Sequence, residues 1–175
     1  MVWVAKRVVR GVASADPVQQ YQLFERISSA AMTELHRIAL EIKRLSPMEW
    51  AQAYPVIAQL RSLDEAEFME RVRRQSYSGY ELVAAFKDGE IVGVMGMRPV
   101  HTLARGAHLH IDDLVVDAAL RGSGAGRSLM EYAETDARAR GLTAIFLDAR
   151  PEAIPFYERE RFALHLAPSM KKVLV

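Results

Sequence analysis

The chain of 175 residues contains no cysteine. Disulfides, thiol nucleophiles and thiolate metal sites are therefore excluded together. It has no apolar stretch approaching the roughly 18–20 residues that a membrane helix needs. It has almost no net charge: 23 Lys and Arg against 22 Asp and Glu leave +1. No global field then recruits nucleic acid or a membrane surface. His36, His101 and His165 are scattered without metal-ligand spacing, so no metal is expected. No serine sits in a nucleophile elbow. Low-complexity tracts and internal repeats are missing too.

Half the residues are hydrophobic and 26% are charged, an ordinary globular composition. The length suits one domain with an appendage. The first residues, Met1 to Val12, carry Lys6, Arg7 and Arg10 inside an apolar run. That makes a poor signal peptide, and with the missing cysteine it leads to the expectation of a cytoplasmic protein.

Asp16-Pro17 opens a helix, with Asp as N-cap and Pro in the first turn. Tyr21, Phe24, Ile27, Ala31 and Leu35 follow as one apolar stripe. Ile38, Leu40 and Ile42 then alternate with polar neighbours, which predicts a strand. Ser46-Pro47-Met48-Glu49 is a capping box and predicts a helix from Pro47 to Arg61. Asp64 with Glu67 opens another, ending near Gln75. Leu82–Phe86 and Ile91–Met97 flank a Lys87-Asp88-Gly89-Glu90 turn as a hairpin. Leu109–Val116 is a third strand of this group, and Thr143–Leu147 another. Between them a helix ends at Arg138-Ala139-Arg140-Gly141, cations followed by a glycine cap. Pro151–Arg159 is a short helix, and Phe162–Leu166 with Lys171–Leu174 read as a closing strand pair. The order from residue 37 is β-α-α-β-β-β-α-β-α-β-β. It predicts an α/β (α+β) fold, a mixed sheet with helices packed on it. Residues 1–36 form an N-terminal extension and 37–175 the main domain.

The strongest signal is the run from Leu114, Val115 and Val116 through Asp117 to Arg121, Gly122, Ser123, Gly124, Ala125 and Gly126. A strand feeds a loop with glycines at alternate positions, and a helix follows. Glycine lets backbone N–H groups approach a ligand closely, and the helix N-terminus adds unpaired N–H groups. Together they form an anion cradle suited to a pyrophosphate, with Arg121 beside it as a cation. The spacing is not the dinucleotide G-x-G-x-x-G, and Gly126-Arg127-Ser128 lacks the lysine of a nucleotide-binding P-loop.

Arg121-Gly122-Ser123-Gly124-Ala125-Gly126 resembles the R/Q-x-x-G-x-G/A motif of the GNAT superfamily of acyl-CoA-dependent N-acyltransferases. Phe156-Tyr157-Glu158-Arg159 with Phe162 is similar to the family's F-Y-E-x-x-x-F segment. The element order is also the family's, and the resemblance covers residues 37–175. It implies acetyl transfer from acetyl-CoA, a cosubstrate, to an amine. It places the pantetheine arm along Leu114, Val115 and Val116, and the pyrophosphate on Arg121 to Gly126, extending to Arg127. Tyr157 looks like the family's acid toward the leaving sulfur; the alternative is a tyrosine that only packs. His108-Leu109-His110 resembles the arylalkylamine branch, where histidines on this strand relay the substrate proton. In a regular strand His110, Asp112 and Leu114 share a face and Asp113 points away unless a bulge reverses it. Asp112 and His110 are the first candidates for the base, Asp113 the next; a structural hydrogen bond or an arginine salt bridge is the alternative for each. Trp50, Tyr54 and Met48 either line the acceptor site or belong to the core. Two departures stand out. Arg150 replaces an Asn that holds cofactor in many relatives, and Arg161 replaces a Gly just before the phenylalanine.

The expected function is N-acetylation of a small-molecule amine, or of a protein amine, without nucleic acid or membrane partners. The rival is a CoA-binding regulatory or assembly module that keeps the fold without turnover. The N-terminal stripe would bury itself on its own domain or, in the favoured version, in a homodimer.

Overall fold

A computed structural model describes residues 40–165 and 170–173. The N-terminal helix and its dimer role lie outside the described residues. Five strands form one sheet in the order β1-β2-β3-β4-β5: β1 Leu40–Arg44, β2 Glu81–Lys87, β3 Glu90–Thr102, β4 Gly106–Val116 and β5 Ile145–Leu147. The first four pair antiparallel; β4 and β5 are parallel, so the sheet is mixed as expected. Parallel neighbours need a crossover, and α3, Ala125–Ala139, supplies it.

Helices cover both faces. On one, Leu129, Met130, Ala133 and Ala137 of α3 pack on Val83, Met95, Met97, Leu109 and Ile111. On the other, Val56 and Ile57 of α1 (Tyr54–Ile57) and Phe68 and Val72 of α2 (Glu65–Ser76) pack on Leu82, Ala84, Val94 and Val115. The α2 N-terminus follows its sequence: the Asp64 carboxylate accepts from Glu67 N–H at 2.8 Å.

Three expectations need correction. The helix predicted over Pro47–Arg61 is a short 3-10 turn, Trp50–Ala53, followed by the single-turn α1. Half of the capping box forms: Ser46 N–H and Oγ both donate to Glu49, at 2.8 and 2.7 Å, while Glu49 N–H donates to the Ser46 C=O at 2.9 Å rather than to its hydroxyl. Pro55, however, has no N–H for the preceding turn, so it starts a new helix rather than continuing one. Trp50 and Tyr54 join the core, and Met48 is 93% exposed. Second, Phe162–His165 and Met170–Val173 do not form the expected strand pair. Alternation marks what a strand would bury, but pairing needs a partner edge, and β5 offers only three residues. Third, β4 is not regular, with consequences for the site.

The turn after α4 (Ile154–Arg159) keeps its shape without the glycine. Phe162 N–H donates to Tyr157 C=O at 2.9 Å and Arg161 N–H to Glu158 C=O at 3.0 Å, a Schellman cap. Arg161 holds the left-handed position, with φ 66°. A side chain there costs about 1–2 kcal/mol. Arg161→Gly should therefore raise stability by about 1 kcal/mol, or about 2–4 °C in a thermal melt.

Candidate active site

The register between β3 and β4 slips by one residue. Gly96 faces Asp113 but Met97 faces Ile111, so Asp112 is an extra residue on β4. This bulge reverses the alternation of side chains. Leu109 and Ile111 before it, and Leu114 and Val116 after it, all pack toward the α3 face. Asp113 now joins the side of Val115, and the expected shared face of His110, Asp112 and Leu114 does not occur. Asp117 N–H donates to Val92 C=O at 2.9 Å. By antiparallel alternation Val115 and Asp113 also bond β3, which turns the N–H and C=O of Leu114 and Val116 the other way.

That other way is open. β5 pairs only Leu109, His110 and Ile111 of β4, and it ends at Leu147. Beyond Ile111 the two strands part; Asp112 C=O accepts from Arg61 at 2.9 Å, and no described strand pairs that side of β4 from Asp113 to Val116. At the end of this edge lies the glycine loop. Gly122 and Gly124 have φ of 84° and 91°, and a Cβ on either would meet nothing within 4 Å. The space above them is free. Ser123 Oγ, sheltered from solvent, has no hydrogen-bond partner among the described residues. Gly124 is the N-cap of α3, whose first N–H groups face the loop. Gly126 differs: its Cβ would stand 3.3 Å from the Phe156 ring, so it serves close packing of α3 on α4. Arg121 is exposed. Arg127 is engaged, donating to Glu160 at 3.0 Å.

The link after α1 ties this edge down. Gln59 accepts from Ala118 N–H and donates to Asp117, both at 2.9 Å. The Gln59 bond holds the Asp117 carboxyl below the usual carboxylate range, helped by Ala119 N–H and the charge of Arg121. Arg150 donates to Leu60 C=O at 2.9 Å, so it contacts the α1–α2 link.

Both aspartates of the bulge are paired. Arg98 donates to both oxygens of Asp112, at 2.8 and 3.2 Å. Arg61 donates to Asp113 Oδ1 at 2.7 Å, and Tyr80 Oη to Asp113 Oδ2 at 2.8 Å. Gly96 makes room for that phenol: a Cβ there would fall 1.9 Å from Tyr80 Oη. Burial, then the nearby Asp113 charge, push the Tyr80 phenol well above its ordinary value. The neutral phenol is thus preferred in the folded chain. Its contribution is complete below pH ~10, where an unfolded tyrosine titrates, and declines as pH rises further. Tyr80→Phe should cost about 1.5–3 kcal/mol, the usual worth of a hydrogen bond to a charge. It should also flatten the alkaline decline, as urea titrations at pH 8 and above pH 10 would show.

His110 lies next to Asp112, with Nε2 3.6 Å from Oδ1. His108 is buried, with Nδ1 3.2 Å from Gly106 C=O, an ordinary structural role. His110 and Tyr157 line the same cleft of about 1230 Å³, bounded by β5, the last turns of α3, α4 and the segment from Glu160 to His165. The half-buried Tyr157 ring stands edge-on to Phe156 and Phe162, 5.1 and 5.8 Å away. Its hydroxyl has no hydrogen-bond partner among the described residues, and burial raises its pKa. The sequence left an arginine salt bridge open for each aspartate, but not which arginine, and it gave no sign of the Tyr80 contact or the Gln59 tether. These partners lie 14 to 59 positions apart, with no local pattern. Among the described residues no group of His, Asp and Glu could hold a metal, and no helix is long and apolar enough to cross a membrane.

A parted pair of parallel strands leads here to a glycine loop at a helix start. Residues 42–161 match the acetyltransferase (GNAT) family. The chain belongs to that family of N-acetyltransferases. It is 35% identical over 127 residues to the uncharacterized N-acetyltransferase YhdJ of Bacillus subtilis (strain 168), covering 67% of this chain and 87% of that one. It is 34% identical over 79 residues to a glucosamine 6-phosphate N-acetyltransferase of Trypanosoma brucei brucei, covering 44% and 54%. Among solved structures, a Trypanosoma brucei acetyltransferase superposes with a TM-score of 0.66 at 26% identity, covering 77% of this chain and 99% of that one.

Proposed function

We propose that this enzyme moves an acetyl group from acetyl-CoA to the amine of a small molecule. The observation that carries this reading is the parted β4–β5 edge leading into the open glycine loop. Leu114 and Val116 offer backbone N–H and C=O groups to an extended amide chain. The N–H groups of Gly122 to Ala125 and the Arg121 guanidinium suit a pyrophosphate, and the unpartnered Ser123 hydroxyl supplies a further donor. Acetyl-CoA supplies an activated thioester. The chain supplies alignment and proton management.

Tyr157 is the acid. Its phenol is kept protonated by burial, its hydroxyl is uncommitted, and it can donate to the departing sulfur. His110 is the base for the acceptor ammonium, directly or through water. The pairings above favour His110 over Asp112 and Asp113, because all four carboxylate oxygens already accept from Arg98, Arg61 or Tyr80. Asp112, with Oδ1 3.6 Å from His110 Nε2, then serves to orient the imidazole. The acceptor of the trypanosomal relative, glucosamine 6-phosphate, is an amine of the class proposed here. A cytoplasmic location fits such substrates. Release of free thiol, followed across a panel of small amines, tests the reading. Turnover with at least one amine is expected, and His110→Gln should lower its kcat/KM by about 10²-fold, the scale general base catalysis contributes. CoA binding with no turnover on any amine would favour the non-catalytic module.

A further inference from the structure

We infer that Arg105 and Arg161 bind an anionic group on the acceptor, so that the substrate is an amine also bearing a phosphate or a carboxylate. This rests on the acetyl-transfer reading above and narrows its acceptor. Both arginines line the cleft that holds Tyr157 and His110. The third arginine lining it, Arg138, is paired with Glu134 at 2.8 Å. Neither Arg105 nor Arg161 has a carboxylate partner among the described residues. Arg105 is held instead over the Phe146 ring, 4.6 Å from its centroid. That stacking fixes the guanidinium in place and leaves its N–H fork free for an oxyanion.

Arg161 adds an independent observation. It occupies a left-handed cap that glycine fills without strain, with φ 66°. Backbone strain retained at a cleft calls for a reason in the side chain. The guanidinium that lines the cleft is such a reason: glycine would relieve the backbone and remove the charge. The cleft is not uniformly basic. Glu160 is paired with Arg127, but Asp148 and Glu158 line it without ion pairs among the described residues. A substrate with an ammonium and an anion meets both signs; a simple alkylamine meets only one.

The test compares three short amines, O-phosphoethanolamine, β-alanine and ethanolamine, by kcat/KM and by calorimetric binding. At least one anionic amine should exceed ethanolamine by about tenfold or more, and the better of the two identifies the anion. Arg161→Gly and Arg105→Ala should each reduce the anionic-to-neutral ratio by about tenfold, although Arg161→Gly melts no lower than the parent. Equal use of ethanolamine, or a ratio unmoved by both variants, would overturn the inference while leaving acetyl transfer intact. No turnover with any amine would instead count against the transfer reading. Calorimetric binding of the phosphoamine still reports on the two arginines in that case, and equal affinity for parent and variants would overturn their role.

Discussion

Tyr157→Phe should lower kcat by about 10²-fold or more, the scale that general acid catalysis usually contributes. The substitution keeps the ring and its contacts with Phe156 and Phe162 and removes only the hydroxyl. Since that hydroxyl bonds to no other described residue, no structural hydrogen bond is lost with it. Stability and CoA affinity should therefore stay near the parent values, and the effect should fall on kcat. The pH profile gives a second reading. Burial raises the phenol pKa, so loss of the acid form belongs above pH ~10. A drop below about threefold, with chemistry rate-limiting, would remove Tyr157 from the mechanism. Catalysis would then rest on holding amine and thioester together.

Gly124→Val should weaken CoA binding by about 10²-fold or more. Two causes act together. The valine side chain would occupy the open space above the loop, where a pyrophosphate must approach the backbone N–H groups. At φ 91° a β-branched residue also strains the N-cap of α3, by about 1–3 kcal/mol. Gly89, at the β2–β3 turn, separates the two. Its φ is 85° and its surroundings are equally open, yet it has no part in the site. Gly89→Val should bring comparable backbone strain and leave CoA affinity, measured by calorimetry, unaltered. If both variants bound CoA as the parent does, the loop would not be the pyrophosphate site.

Local chemistry was legible in the sequence where the physics is local. The Glu49 contact with Ser46, the Asp64 cap on Glu67 N–H, the Lys87–Glu90 turn and the glycine loop each depend on a few consecutive residues, and each forms. The mixed sheet followed from element order. What escaped depends on partners distant along the chain. The β4 bulge is a slip of register against β3, and nothing around Asp112 announces it. It decides which side chains face which layer: it moves Asp113 to the Tyr80 side and turns the edges of Leu114 and Val116 outward. The arginine salt bridge kept open for Asp112 and Asp113 is present, but its donors, Arg98 and Arg61, come from β3 and from the link after α1, out of reach of a local pattern. The strand expected from Phe162 is absent over Phe162–His165, because a strand needs a neighbouring edge as well as suitable residues. Pro55, by contrast, was visible and its effect was local; a helix through it asked for an N–H that proline lacks.

The most direct test of the account is a crystal structure of the protein grown with CoA. The pantetheine arm should lie in the parted strands, with its amides bonded to the backbone of Leu114 and Val116. The pyrophosphate should rest on the N–H groups of Gly122 to Gly126. CoA found elsewhere on the molecule, with the β4 edge bonded to some other part of the chain, would contradict it.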